Sequence, residues 1–120
     1  MARRSQAARL TDIIEASERV RATVLGMSLQ QFKADWRTRW AVERGIEIVS
    51  EASRHLTPDL KARHPDIDWP RVAGIGNILR HEYQRTAYDV LWHVAAYELL
   101  PLETVCSEEL AAEQASDQET

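Results

Sequence analysis

Gly74-Ile75-Gly76-Asn77-Ile78-Leu79-Arg80-His81-Glu82-Tyr83-Gln84-Arg85 is the stretch around which this 120-residue chain is organised, because it carries a packing face and a chemical face together. At 3.6 residues per turn Asn77 and His81 stand one above the other, while Val72, Ile75 and Leu79 form a separate apolar stripe that must meet a core. The period is helical. A glycine inside a helix costs about 1 kcal/mol relative to alanine, so Gly74 and Gly76 call for a tight crossing or a kink. We read the pair as a close-contact surface on which two copies of the chain meet.

Working outward, the same period recurs on both sides. Towards the N-terminus, Asp68 can cap the helix that opens with Trp69-Pro70, and His64-Pro65 closes a short helix begun by Thr57-Pro58-Asp59 and ending near Arg63. A long helix from Asp35 to Leu56 carries a wide apolar band through Ala41, Val42, Gly45, Ile46, Ile48, Val49 and Ala52, with Trp36 and Trp40 expected as a core anchor at its start. Ser28 and Gln31 have the spacing of a capping box for a short helix holding Leu29 and Phe32. Leu10, Ile13, Ile14, Ser17, Val20 and Val24 mark the first main helix, stopped by Gly26. Towards the C-terminus, residues 84–86 read as a loop and residues 87–99 as a helix buried on two sides. Pro101 marks a break or a fresh start before a last helix to about Ala112. No strand-like alternation and no repeat occurs. The expectation is an all-α, up-and-down bundle of four main helices with short accessory turns, filling residues 10–112 between a flexible arm (1–9) and an acidic flexible tail (113–120).

Composition bounds the function. A chain this long with 44% hydrophobic residues supports one core and one domain. The formal charge of −4 argues against indiscriminate nucleic-acid binding. The tail from Glu103 holds six acids and no Lys or Arg, leaving the first 102 residues with 15 basic against 13 acidic side chains, or +2. Around the central stretch Arg71, Arg80 and Arg85 face Glu82 and Asp89, a local site and not a broad basic face. One cysteine, Cys106, excludes an internal disulfide and suits a reducing cytoplasm. The apolar run from Val90 to Leu102 is too short to cross a membrane, and no apolar signal core follows Arg3-Arg4.

No phosphate loop, clustered Cys/His metal set or Gly-flanked nucleophilic serine is present, so neither metal nor cofactor is expected. His55 and His93 read as packed or surface residues, His64 as a helix-end residue and Cys106 as incidental. His81 differs in its company, with Asn77 a turn before, Arg80 beside it, Tyr83 two on and Arg85 a turn later. Such a cluster suits phosphodiester chemistry, although ion pairs on a solvated helix end would use the same residue types. An imidazole titrating near neutrality can take the proton of a ribose 2′-hydroxyl or protonate a leaving oxygen, and an arginine can hold the phosphate. A single histidine is short of an acid-base pair, which suggests a second copy from a symmetry mate.

The order Asn77-Ile78-Leu79-Arg80-His81-Glu82-Tyr83, preceded by Arg63-His64-Pro65-Asp66-Ile67-Asp68-Trp69 and followed by Val90-Leu91-Trp92 and Leu99-Leu100-Pro101-Leu102, resembles the HepT-like HEPN ribonuclease toxins. Ile46-Glu47-Ile48-Val49-Ser50-Glu51-Ala52 resembles that family's long-helix signature, and the likeness spans roughly residues 9 to 105. The resemblance implies a homodimer with two motifs lining a cleft. It further implies a metal-independent endoribonuclease toxin of a type VII toxin-antitoxin module, silenced by a minimal nucleotidyltransferase antitoxin that attaches AMP to a tyrosine. Carried over, His81 is catalytic, Tyr83 is the modification site, and Arg80 and Asn77 complete the motif. The family places an arginine with four to six residues between it and the histidine, where this chain has Gly76, Ile75 and Gly74, so Arg80 and Arg85 remain as phosphate ligands. The alternative from another class is a catalytically inactive HEPN protein that binds, or is modified by, the nucleotidyltransferase. A plain dimerisation module would explain the apolar bands and not the polar cluster.

Overall fold

The computed structural model describes residues 5–81 and 84–118, with side chains across that range except at positions 78–86. Seven α-helices follow one another, and no strand occurs among the described residues. Helix α1 (Ala7–Val24) buries Leu10, Ile13, Ala16, Ser17, Val20 and Val24, the three-and-four spacing that puts one stripe against a core. It starts three residues before Leu10. Ahead of it, Ser5 Oγ and Gln6 N donate to the Glu113 carboxylate at 2.6 and 3.1 Å, and Thr57 N donates to Gln6 Oε1 at 2.9 Å, while residues 1–4 of the expected arm lie outside the described residues. Gly26 turns the chain with φ of +79°, a value that costs glycine little and other residues more.

The caps written in the sequence set the next three starts. Ser28 and Gln31 close both bonds of the capping box on α2 (Leu29–Ala34), which buries Phe32. Asp35 accepts from Arg37 N and Thr38 N to start α3 (Trp36–Arg54). Thr57 accepts from Leu60 N at 3.3 Å ahead of α4 (Pro58–Ala62). Asp68 accepts from Arg71 N at 3.1 Å in the first turn of α5 (Trp69–His81). Helix α6 (Gln84–His93) begins where the reading placed a loop, so residues 84–86 are helical backbone.

After α6 the chain passes through a π turn (Val94–Glu98) directly into α7 (Leu99–Gln118). Leu99 N bonds back to Val94 O, five residues away, and Pro101 then falls in the first turn of α7, where a missing N–H costs little. The break expected at Pro101 is therefore a register change inside a continuous helical path. Helix α7 also runs six residues past Ala112, into the segment read as a flexible tail, and Glu113 there holds the start of α1.

Helix α1 packs on α3 and α7, and α3 packs on α1 and α5, giving the expected helical bundle. The core runs from Leu10, Ile13 and Phe32 through Val42, Ile46 and Val49 to Leu91, Val94, Leu99, Leu102 and Cys106. Within the chain a close crossing lies at Gly45, where a Cβ would stand 2.3 Å from Val20 Cγ2, whereas one on Gly74 would meet nothing within 4 Å. Trp36 and Trp40 are not a core anchor either. They are 50% and 66% exposed, stacked edge to face at 4.8 Å between ring centroids.

Candidate functional site

Helix α5 carries the central stretch, and its start is fixed from two sides. Trp69 is buried, and its indole N–H donates to the carbonyls of Lys61 and His64, both at 3.1 Å, which locks α5 to the end of α4. One turn later the carbonyl of Ala73 accepts from Ser50 Oγ at 2.9 Å and from Arg54 Nη2 and Nε at 2.7 and 3.1 Å. Three donors from α3 thus converge on a single backbone oxygen, and charge-assisted bonds of this kind are stronger than neutral ones.

Gly76 is buried and lines a polar cleft of about 210 Å³ with Arg44, Glu47, Ser50, Glu51 and Arg54 of α3. Two residues apart on a helix means about 200° of rotation, so Gly74 and Gly76 look in nearly opposite directions and cannot share one contact. Asn77 is exposed just beyond the cleft. The backbones of Arg80 and His81 form the last turn of α5, and Arg85 stands in the first turn of α6. The side chains of Arg80, His81 and Arg85, and Tyr83 as a whole, lie outside the described residues.

Helices α5 and α3 run antiparallel, since Ala73 meets Ser50 and Arg54 whereas Gly76 reaches along the cleft as far as Arg44. His81, eight residues and about 12 Å beyond Ala73, therefore ends level with the α3 turn around Arg44. The middle of α6 agrees with this register. Asp89 pairs with Lys33 at 2.6 Å, and the Arg39 guanidinium lies 4.6 Å over the Tyr88 ring while donating to the Lys33 carbonyl. Tyr88 and Asp89 of α6 accordingly sit beside the end of α2 and the beginning of α3.

The other residues weighed in the sequence have structural employment. Arg71 is bidentate to Glu98 at 2.8 and 3.0 Å, with His93 Nδ1 2.8 Å from the same carboxylate. Arg63 and His64 hold Glu109 in the same way, at 2.7 and 2.6 Å. The Arg71 hydrogen bond foremost, then the one from His93, keeps Glu98 below the ordinary carboxylate range, and Arg63 followed by His64 does so for Glu109. His55 rests against Glu51 at 3.1 Å. Burial foremost, with Glu109 adding to it, pushes the Cys106 thiol up to about 12, which disfavours the thiolate.

Sequence reasoning missed Arg44 and Arg54, and it misplaced the two tryptophans. A signal was present. Trp40 and Val42 are two residues apart and so face opposite sides of α3, and Val42 is a core residue at 0% exposure. Trp36, Trp40 and Arg44 follow at intervals of four along the outward face, with the Arg44 side chain 73% exposed and only loosely joined to Glu47 at 3.6 Å.

Comparison with known proteins shows the family. Residues 13–109 match the family model described as HepT-like, Ribonuclease HepT-like. The chain is 36% identical over 90 residues to the "Probable ribonuclease HepT" of Thermococcus cleftensis, covering 75% of this chain and 82% of that protein. It is 33% identical over 94 residues to the "Putative RNase MJ1380" of Methanocaldococcus jannaschii, covering 78% and 86%. No solved structure matches it. With its family model spanning most of the length and two such relatives aligned over three quarters of it, the chain belongs to the HepT-like ribonuclease family.

Proposed function

We propose that the protein is a metal-independent endoribonuclease and the toxin half of a type VII toxin-antitoxin module, working in the cytoplasm as a homodimer. The observation that carries this reading is the family match across residues 13–109, which contains the whole stretch from Asn77 through His81 to Tyr83. His81 acts as the acid-base group: its imidazole in one copy takes the 2′-hydroxyl proton, the freed oxygen attacks the adjacent phosphorus, and the bond to the 5′-oxygen of the next nucleotide breaks as the protonated His81 of the second copy gives that oxygen its proton. The upstream fragment leaves with a cyclic phosphate. Arg80, with Arg85 beyond it, offsets the charge on the phosphoryl oxygens, and Asn77 orients the group. A minimal nucleotidyltransferase silences the toxin by attaching AMP to Tyr83, which puts a phosphate and a bulky nucleoside two residues from His81.

The test is cleavage of RNA by purified protein in excess chelator. Wild type should cleave and His81→Ala should lose activity by at least a hundredfold; equal rates would remove the assignment. Co-expression with a nucleotidyltransferase encoded beside it should add an AMP mass to the peptide holding Tyr83, and an adduct elsewhere would reduce silencing to occlusion by the partner. A second reading, a catalytically inactive HEPN protein bound or modified by the same transferase, is favoured by one feature: Gly76 stands where the family pattern has its arginine. Absence of cleavage with retention of the adduct would select it.

A further inference from the structure

We infer that the outward face of α3, along Trp36, Trp40 and Arg44, is a docking track for single-stranded RNA that leads to the end of α5. The inference rests on the ribonuclease reading and deepens it. Two indoles stacked on each other with half or more of their surface in water are costly to leave bare unless something covers them, and a planar base is the partner that suits a ring face of any sequence. The Arg37 guanidinium lies 5.4 Å from the Trp36 ring centroid, adding positive charge to the same stack.

Charge favours a nucleic acid over an apolar protein segment as the occupant. Lys33, Arg37, Arg39 and Arg44 stand between positions 33 and 44 against Asp35 and Glu43, and with Asp89 paired to Lys33 the local excess is +1 on a molecule whose net charge is −4. Arg44 is the member able to take a phosphate. Its guanidinium projects into solvent and reaches Glu47 at only 3.6 Å, so a bidentate phosphate contact displaces a weak pair. Glu47 and Glu51 in the cleft repel a polyanion, and this confines the strand to the Trp36–Arg44 half of the helix.

Spacing ties the track to the chemistry. The three side chains rise about 6 Å per step, and the register of α5 on α3 ends at His81 level with Arg44. A strand whose bases stack on Trp36 and Trp40 and whose next phosphate meets Arg44 is delivered to the last turn of α5. Arg44 also lies across the cleft from Gly76, so α3 supplies a guanidinium beside the place where α5 offers none.

The test uses a fluorescein-labelled, fully 2′-O-methylated 12-mer, which lacks the attacking hydroxyl, with affinity read by anisotropy and cleavage of the unmodified 12-mer measured separately. Trp36→Ala with Trp40→Ala should weaken binding about tenfold or more, in line with stacking energies of about 1–3 kcal/mol per base. Arg44→Glu, a surface change that leaves the indoles in place, should weaken it about tenfold and make the salt dependence shallower. Wild type that binds and cleaves while both variants bind within twofold of it overturns the track and leaves the ribonuclease reading standing. So does a dimer lost on removing the indoles with affinity per protomer unchanged, which would make this face a contact between copies. Wild type that neither binds nor cleaves overturns both.

Discussion

Val20 occupies the space in which any side chain on Gly45 would have to stand. The 2.3 Å approach of its methyl to an ideal Cβ is far inside van der Waals contact, and a β-branched side chain has little freedom to swing away. Gly45→Ala gains up to about 1 kcal/mol in helix propensity and loses about 1–3 kcal/mol to overpacking, so a net loss is expected. Adding Val20→Ala should recover part of that loss in a double-mutant cycle measured by urea unfolding. Additive effects would mean that α1 and α3 do not touch there. This glycine was hidden in the sequence because it sat inside a long apolar band, where small size reads as neutral. The indoles misled for a related reason: a spacing of four is shared by core stripes and surface stripes, and only their phase against Val42 tells the two apart.

At the scale of the element, α5 separates its two glycines onto different faces, and their roles separate with them. Gly76 looks into the cleft against α3, and the position of a Cβ on Gly74 is open. The proposed homodimer therefore has Gly74, not the pair, at its contact. Gly74→Leu should weaken dimerisation about tenfold or more in sedimentation, while Gly76→Leu fills the cleft and leaves the dimer constant within twofold; the reverse pattern would put the contact on the other face. The starts of α2 to α5 were legible, since Ser28, Asp35, Thr57 and Asp68 are short polar residues ahead of apolar runs, whereas α1 and α6 begin three residues earlier than their apolar period indicates. The π turn was not. One extra residue in a turn leaves hydrophobic spacing nearly unchanged, and only Pro101 hinted that the register needed to shift.

For the whole molecule, ion pairs join segments distant in sequence: Arg71 with Glu98, Arg63 with Glu109 and Arg21 with Glu103. Glu98 and Glu109 are held below the ordinary value of 4.5, so the stability they contribute is present above that pH and is lost as the pH falls through their lowered values. The urea midpoint of wild type should drop steeply below about pH 4.5, and Glu98→Gln with Glu109→Gln should lower the midpoint at pH 7 and flatten the acid limb. Parallel curves would assign the acid loss to other carboxylates. The bundle was legible from period alone, but these ties were not, because which charges meet depends on helix register.

The packing of α1 on α7, fastened by Arg21 and Glu103 across 82 positions, also governs how the molecule comes into being. At a ribosomal pace of about 5–20 residues per second, the apolar stripe of α1 waits on the order of 4–16 s before the Glu103 region is even synthesised. During that interval the nascent chain offers Leu10, Ile13 and Val20 to any chaperone that binds exposed apolar helices. The native bundle closes only after release of the last helix from the exit tunnel.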